Sequence, residues 1–191
     1  HSSAASDVYK RQAVEGFCSN LKNPLIDHNA LETLRIFSNS LRETKDDCYN
    51  IKARSQSQKA VWMIAKNMGN VTMGASHGIG YLLGSIGSVP HGQTSCVMLP
   101  AVLKWNEDFH PEKDKMIANA LGRPNLKAYE AVKELIIDLG LPHCLQDVGI
   151  GRDKYEKIVK YALENQTVLA NPKPISKADD IFEILNNAER G

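Results

Sequence analysis

The sequence predicts an all-α protein, a multi-helix bundle of about seven to nine helices, because connections between helices in bundles are short. Three observations carry that expectation. Apolar residues recur at three- and four-residue steps in one segment after another, the stops between segments are those of helices, and no stretch alternates strictly between hairpin turns.

In chain order, Asn29 with Glu32 three residues on resembles a capping box, and Leu31, Leu34, Phe37 and Leu41 then mark one buried face. Ala60, Ile64 and Met68 carry the same period through the next segment. Ala128, Val132, Leu135, Ile136 and Leu139 form a stripe that stops at Gly140, with Pro142 just beyond. Tyr155, Ile158, Val159, Ala162 and Leu163 form another. Ser176 with Asp179 opens a last helix through Ile181, Ile184 and Leu185.

The 191 residues suffice for one self-supporting domain, and 42 % hydrophobic with 24 % charged residues is ordinary globular composition. Twenty-three Lys and Arg against 22 Asp and Glu leave a net charge of +1, which offers no basic field for nucleic acid and no acidic tail. No apolar run approaches the ~20 residues that span a bilayer, so no membrane partner is expected. Cys18, Cys48, Cys96 and Cys144 form no CxxC pair and read as reduced thiols in a cytoplasmic protein. Residues 1–12 (HSSAASDVYKRQ) have no apolar periodicity and no signal-peptide or transit-peptide character. They resemble a translated cloning adaptor joined to a reading frame that begins at Ala13, and the domain is expected to occupy residues 13–191.

Seven of the 13 glycines fall in residues 69–92, where each costs ~1 kcal/mol in a helix interior relative to Ala. Gly78, Gly80 and Gly84 make GxGxxxG rather than GxGxxG, and they follow a helical segment rather than a strand, which disfavours a dinucleotide cradle. Gly74 with Gly78, and Gly80 with Gly84, instead stack at i, i+4 and let another backbone or a ligand come close. His77 and His91 bracket this stretch, and His91 follows Pro90 at the expected start of a new helix. Two imidazoles there could converge on one cation, although a stable site needs three or four donors. His1, His28, His110 and His143 have no partner pattern and read as solvated or capping residues.

Two segments, residues 74–84 (GASHGIGYLLG) and 90–106 (PHGQTSCVMLPAVLKWN), resemble the signature of the iron-containing alcohol dehydrogenase family, which includes the maleylacetate reductases. Leu139 to Pro142, Asn171 to Pro174 and Asp180-Ile181 resemble its C-terminal pattern, and Ala13-Val14-Glu15-Gly16 resembles the segment after its first metal-binding helix. A relative of dehydroquinate synthase shares the two-domain plan but fits the second segment less well.

The resemblance implies the C-terminal all-α, metal-binding domain of a two-domain, dehydroquinate synthase-like enzyme whose N-terminal domain binds NAD or NADP. It implies a divalent metal, iron first and zinc second, and a small alcohol, aldehyde or ketone substrate, and it leaves room for a homo-oligomer. His77 and His91 match two of the family's metal ligands. The other two, an Asp and a His four residues later, would fall on Val8 and Gln12, which cannot serve, and Asp7 is one residue, about 100° of helix, out of register. Tyr81 stands where many members carry a His near the nicotinamide, and reads either as a proton donor or as an amphipathic packing residue. Gly74, Gly78 and Gly80 would leave room for nicotinamide and substrate. In the maleylacetate reductase branch hydride goes to a carbon-carbon double bond, metal is dispensable, and the two His would be donors to substrate oxygens. A further alternative is a catalytically inert helical fragment or interaction module, and the 191 residues as they stand are expected neither to turn over NAD(P)H nor to hold iron or zinc tightly.

Overall fold

The computed structural model describes residues 2–21, 24–66 and 71–189, with side chains from residue 8 onward. His1, Met68 and Gly69, and the side chain of Asp7, lie outside that description. Ten α-helices and no strand occur among the described residues: α1 (Ser2–Cys18), α2 (Pro24–Asp46), α3 (Ile51–Ala65), α4 (Ala75–Gly87), α5 (His91–Asn106), α6 (Pro111–Ala120), α7 (Ala128–Asp138), α8 (Tyr155–Ala162), α9 (Gln166–Leu169) and α10 (Ala178–Asn187). The all-α expectation is borne out, and the count exceeds it by one. The single-turn α9 is too short to show a stripe. Asn165 starts it by accepting hydrogen bonds from Thr167 N at 2.9 Å and Val168 N at 3.2 Å.

Two boundaries differ from the sequence reading. Asn29 does not cap α2, which begins five residues earlier at Pro24, a residue whose fixed φ and missing N–H suit a first helical turn. Asp180, not Asp179, caps α10: its Oδ2 accepts from Ser176 N at 2.8 Å and Lys177 N at 3.1 Å. α1 also reaches back through the segment without apolar periodicity. It continues from the buried Ala13, Val14 and Phe17 into Lys10 and Arg11, which are buried as well. Adding a residue to a packed helix gains one bond for one fixed residue, so propagation needs no stripe of its own.

The stripes pack into two cores. One gathers Leu34 and Phe37 of α2, Ile64 of α3, Ile117 of α6, and Val132 and Leu135 of α7. The other gathers Ile79 and Leu83 of α4, Ile158 of α8, and Ile181 and Ile184 of α10. α5 serves both, giving Cys96, Leu99 and Leu103 to the first and Val97, Met98 and Val102 to the second. Residues 94–103 are all buried, the pattern of a helix surrounded on every side. α7 stops as the glycine requires: Gly140 sits at φ 69°, its N–H donates to Ile137 O at 2.8 Å, and Leu141 N–H donates to Ile136 O at 3.1 Å. No described helix is long and apolar enough to cross a membrane.

Two substitutions in α4 should separate the roles of its glycines. A Cβ at Gly78 would lie 2.5 Å from Val168 Cγ2 and 2.8 Å from Val168 N, so Gly78→Ala should destabilise by about 1–3 kcal/mol in urea unfolding. At Gly84 the nearest atom, Val89 O, is 3.5 Å away, and Gly84→Ala should be neutral or stabilising by up to ~1 kcal/mol. Asp180→Ala should cost about 0.5–2 kcal/mol, the range for a lost cap. Burial alone would raise the Asp180 carboxyl, but the Ser176 and Lys177 amides hold it below its ordinary value. Its contribution is therefore complete above the ordinary aspartate range and disappears as pH falls through the lowered value. The variant's stability should depend less on pH there than that of the parent.

Candidate functional site

The site is built where α4 begins, where α5 begins, and where α1 passes beneath both. The opening N–H groups of α4 have no partners within the helix, and Gly74 at its N-cap has no side chain to supply one. Glu15 of α1 supplies it from 61 residues away: Oε1 accepts from Ser76 N at 2.8 Å and from His77 N at 3.4 Å. Asn171 Oδ1 accepts from Ala75 N at 3.4 Å. A negative charge at a helix N-terminus is favourable on both hydrogen-bonding and dipole grounds. The second carboxylate oxygen, Oε2, pairs with His77 Nδ1. Burial by itself would raise the Glu15 carboxyl, but the His77 bond, the positive charge of Arg11 and backbone contact outweigh it, and Glu15 sits below the usual carboxylate range.

His77 is 2 % exposed, and Tyr81, one turn further along α4, is 51 % exposed. His91, at the first position of α5, closes the group. Its ring stacks on Tyr81 with centroids 5.7 Å apart and planes 8° from parallel, and lies 6.5 Å from the His77 ring. Tyr81 meets His77 edge-on at 6.1 Å. The histidines that bracket the glycine-rich stretch and the tyrosine between them thus share one cluster, whose open side is Tyr81 and His91. Tyr81 is half exposed, with its ring against those of His77 and His91.

Arg11 enters from α1. Its Nη1 donates to Ser76 O at 3.2 Å and Thr94 Oγ1 at 3.5 Å, and its Nη2 lies 3.1 Å from His91 Nε2. A guanidinium can only donate, so His91 Nε2 must be the acceptor and its ring neutral. In agreement, burial, Arg11 and His77 each push the His91 imidazole below its ordinary value. Burial lowers Arg11 as well, against the opposing pull of Glu15. Gln12, the next residue, has a buried Oε1 without a hydrogen-bond partner among the described residues.

The chain itself makes the close approaches at the glycines. Gly74 faces Asn171 Oδ1 and Glu15 Oε1, each 3.2 Å from where its Cβ would be. Gly78 faces the backbone of α9, and Gly80 faces Arg11 Nη1 at 2.6 Å. The three positions are buried, and the room that they leave is taken by α9, Asn171 and Arg11. The remaining histidines stand apart: His110 precedes Pro111 at the start of α6, and His143 lies 3.4 Å from Asp147. None of the four cysteines, all of them among the described residues, forms a disulfide.

Sequence reasoning missed Glu15 and Arg11 as site residues. The signal for Glu15 was local but faint: a carboxylate set among Ala13, Val14 and Phe17, all of them buried, needs a partner to be there. Nothing near Arg11 in the sequence marks it as buried.

Known proteins share this arrangement of helices. The chain is 29 % identical to a 1,3-propanediol dehydrogenase of Klebsiella pneumoniae over 84 % of its own length and 44 % of that protein's. It is 29 % identical to a maleylacetate reductase of Sphingobium indicum over 94 % of its length and 49 % of that protein's. A crystal structure of a 1,3-propanediol oxidoreductase superposes with a TM-score of 0.90 at 27 % identity, covering 97 % of this chain and 51 % of the other. The chain therefore spans about half the length of the curated relatives it matches. Residues 11–189 match the family model for the C-terminal part of Fe-containing alcohol dehydrogenases, and the chain belongs to that family.

Proposed function

We propose that the chain is the helical part of an oxidoreductase that interconverts small alcohols with aldehydes or ketones by hydride transfer, the nicotinamide being carried by an N-terminal α/β part outside these residues. The observation that carries the reading is the convergence of His77, Tyr81 and His91 at the α4–α5 junction, inside the family match.

Membership of an iron-containing family implies a metal and an NAD-type cofactor in general. The residues present do not fit a divalent metal. No group of three or more His, Cys, Asp or Glu able to hold one occurs among the described residues, and the Arg11 guanidinium, a cation, already lies against His91. Val8 and Gln12 stand at the remaining ligand positions that the family resemblance implies. We further propose that residues 1–12 come from a cloning adaptor, so that Arg11 and Gln12 are not native. Resequencing the transcript upstream of Ala13 tests this: an Asp and a His four residues apart in place of Val8 and Gln12 would support it, and an unchanged Arg11-Gln12 would overturn it.

A planar nicotinamide fits the open faces of Tyr81 and His91 better than the covered glycines. When bound, the cofactor supplies the hydride. The chemistry left to this chain is at the substrate oxygen. The phenol of Tyr81 donates its proton to the oxygen as hydride reaches the carbonyl carbon. His91 stacks on the Tyr81 ring and fixes its orientation, and His77, held by Glu15, hydrogen-bonds the same substrate group. α9 and the buried residues of α5 exclude water from behind the pair.

The two-histidine donor set favours a second reading, reduction of an unsaturated oxo-acid in the manner of a maleylacetate reductase, with both imidazoles bonded to substrate oxygens. NAD(P)H oxidation by the protein joined to its nucleotide-binding part, measured with simple aldehydes and with maleylacetate, with and without chelator, separates the two. Turnover of aldehydes supports the first reading, and chelator-insensitive turnover of maleylacetate alone supports the second. In either case Tyr81→Phe should lower kcat about 10²–10⁴-fold with little change in KM. An unchanged kcat would remove Tyr81 from the chemistry.

A further inference from the structure

We propose that the outward face of α3 is a docking surface for a second copy of this chain, which it meets through the acidic patch where α5 turns into α6. The proposal goes beyond the oxidoreductase reading and does not depend on it.

α3 turns Ala53, Ser57, Ala60 and Ile64 into the protein. Its other side carries Ile51, Ser55, Gln58, Trp62 and Ala65, at steps of four and three, which on a helix fall along one line. Two of these are large and apolar and stand in the open: Ile51 is 81 % exposed and Trp62 66 %. Lys52, Lys59 and Lys66 run along one edge of the line, seven residues and ~10 Å apart, and Arg54 stands on the other edge. α3 contains no acidic residue, and none of the four cations forms an ion pair with a described residue. Lys52 lines a shallow groove with Glu32 and Glu43 of α2, which the other three cations do not line. An aromatic anchor with a charged rim is the makeup of a protein-binding patch. A lipid surface asks instead for a broad apolar face turned outward. In α3 that face is turned into the core, and Ser55 and Gln58 interrupt the outward line.

The complement lies on the same chain. The four cations exceed the net charge of +1, so the rest of the chain is acidic overall. Acidic and exposed apolar residues come together where α5 turns into α6. Asp108 adjoins Phe109, which is 42 % exposed, and Met116, 44 % exposed, lies one turn beyond Glu112 on α6. Lys115 tempers the charge there, while Lys113 is turned inward to Phe17 O. An acidic patch with two apolar side chains thus faces a basic one with two: opposite charges fix the register, and the apolar groups leave water together. The contact is reciprocated across a two-fold axis or repeated head to tail, and in both cases one α3 meets one α5–α6 turn.

The test is sedimentation velocity of the 191-residue chain, with helix content and melting temperature separating a lost surface from a lost fold. The parent should associate at about 0.05 M salt and dissociate at about 1 M, where charges act over only ~3 Å. Trp62→Ala, at an exposed position, should stay folded and weaken association about 30-fold. Lys59→Glu with Lys66→Glu should abolish it, as should Asp108→Lys with Glu112→Lys. Mixed in equal amounts, the two double variants should associate again, because each supplies the sign that the other's reversed patch needs. Should the acidic-patch variant not fold, Asp108→Lys alone takes its place in the mixture. Association that returns on mixing supports the proposal. A chain that stays monomeric at every concentration and salt overturns it and leaves the face to a further part of a longer chain. Association that survives Trp62→Ala and the lysine reversals overturns it as well, as does association lost in the variants and not recovered on mixing. A monomer that binds vesicles of acidic phospholipid through Lys59 and Lys66 assigns the face to lipid and equally overturns it. The readout needs no turnover, so failure of the oxidoreductase reading in its own assay is a separate result.

Discussion

The structure depends on α5 being buried on every side. A helix that gives Cys96, Leu99 and Leu103 to one core and Val97, Met98 and Val102 to the other cannot rotate or slide without emptying both. Its first residue, His91, inherits that rigidity, although the His91 side chain itself reaches the surface. Pro100 lies inside the helix, where it cannot donate to the carbonyl one turn back, a local cost of about 3 kcal/mol that burial of the surrounding residues offsets. A mobile helix would not tolerate this arrangement.

α4 is placed by a different means. It is short and glycine-rich, so its own propensity is weak, and partners hold it at both ends. Glu15 and Asn171 satisfy its opening amides, while Gly87 and the left-handed Ser88 turn the chain toward α5. Between these ends Gly78 lets the backbone of α9 come into contact. The glycines look permissive in sequence, but not all are so in the fold: at Gly78 a backbone neighbour occupies the place of a side chain and leaves little tolerance for change, whereas Gly84 has room for a methyl group.

The ring cluster and Glu15 form one polar unit in an apolar surround. A buried carboxylate is costly unless its lone pairs are used, and those of Glu15 are bound by two backbone amides and one imidazole. The same contacts that remove that cost tie α1 to α4 and orient His77. Stability and the geometry of the candidate site thus rest on one side chain.

The sequence by itself determined what is periodic or punctuated. The stripes of α2, α7, α8 and α10, the stop at Gly140 and the start of α5 after Pro90 were legible because helix spacing and chain-breaking residues act over a few positions. The pairing of His77 with His91 was legible through the family signature on either side of the glycines. The cap of α10 was legible to within one residue, and α1 before Ala13 was not, because that part of the helix is propagated rather than patterned. Only the tertiary structure decided that Glu15 lies against His77, 62 residues away, that α9 fills the space beside Gly78, and that a guanidinium adjoins His91. Such contacts join elements distant in the chain, and no local period records which of several buried faces will meet.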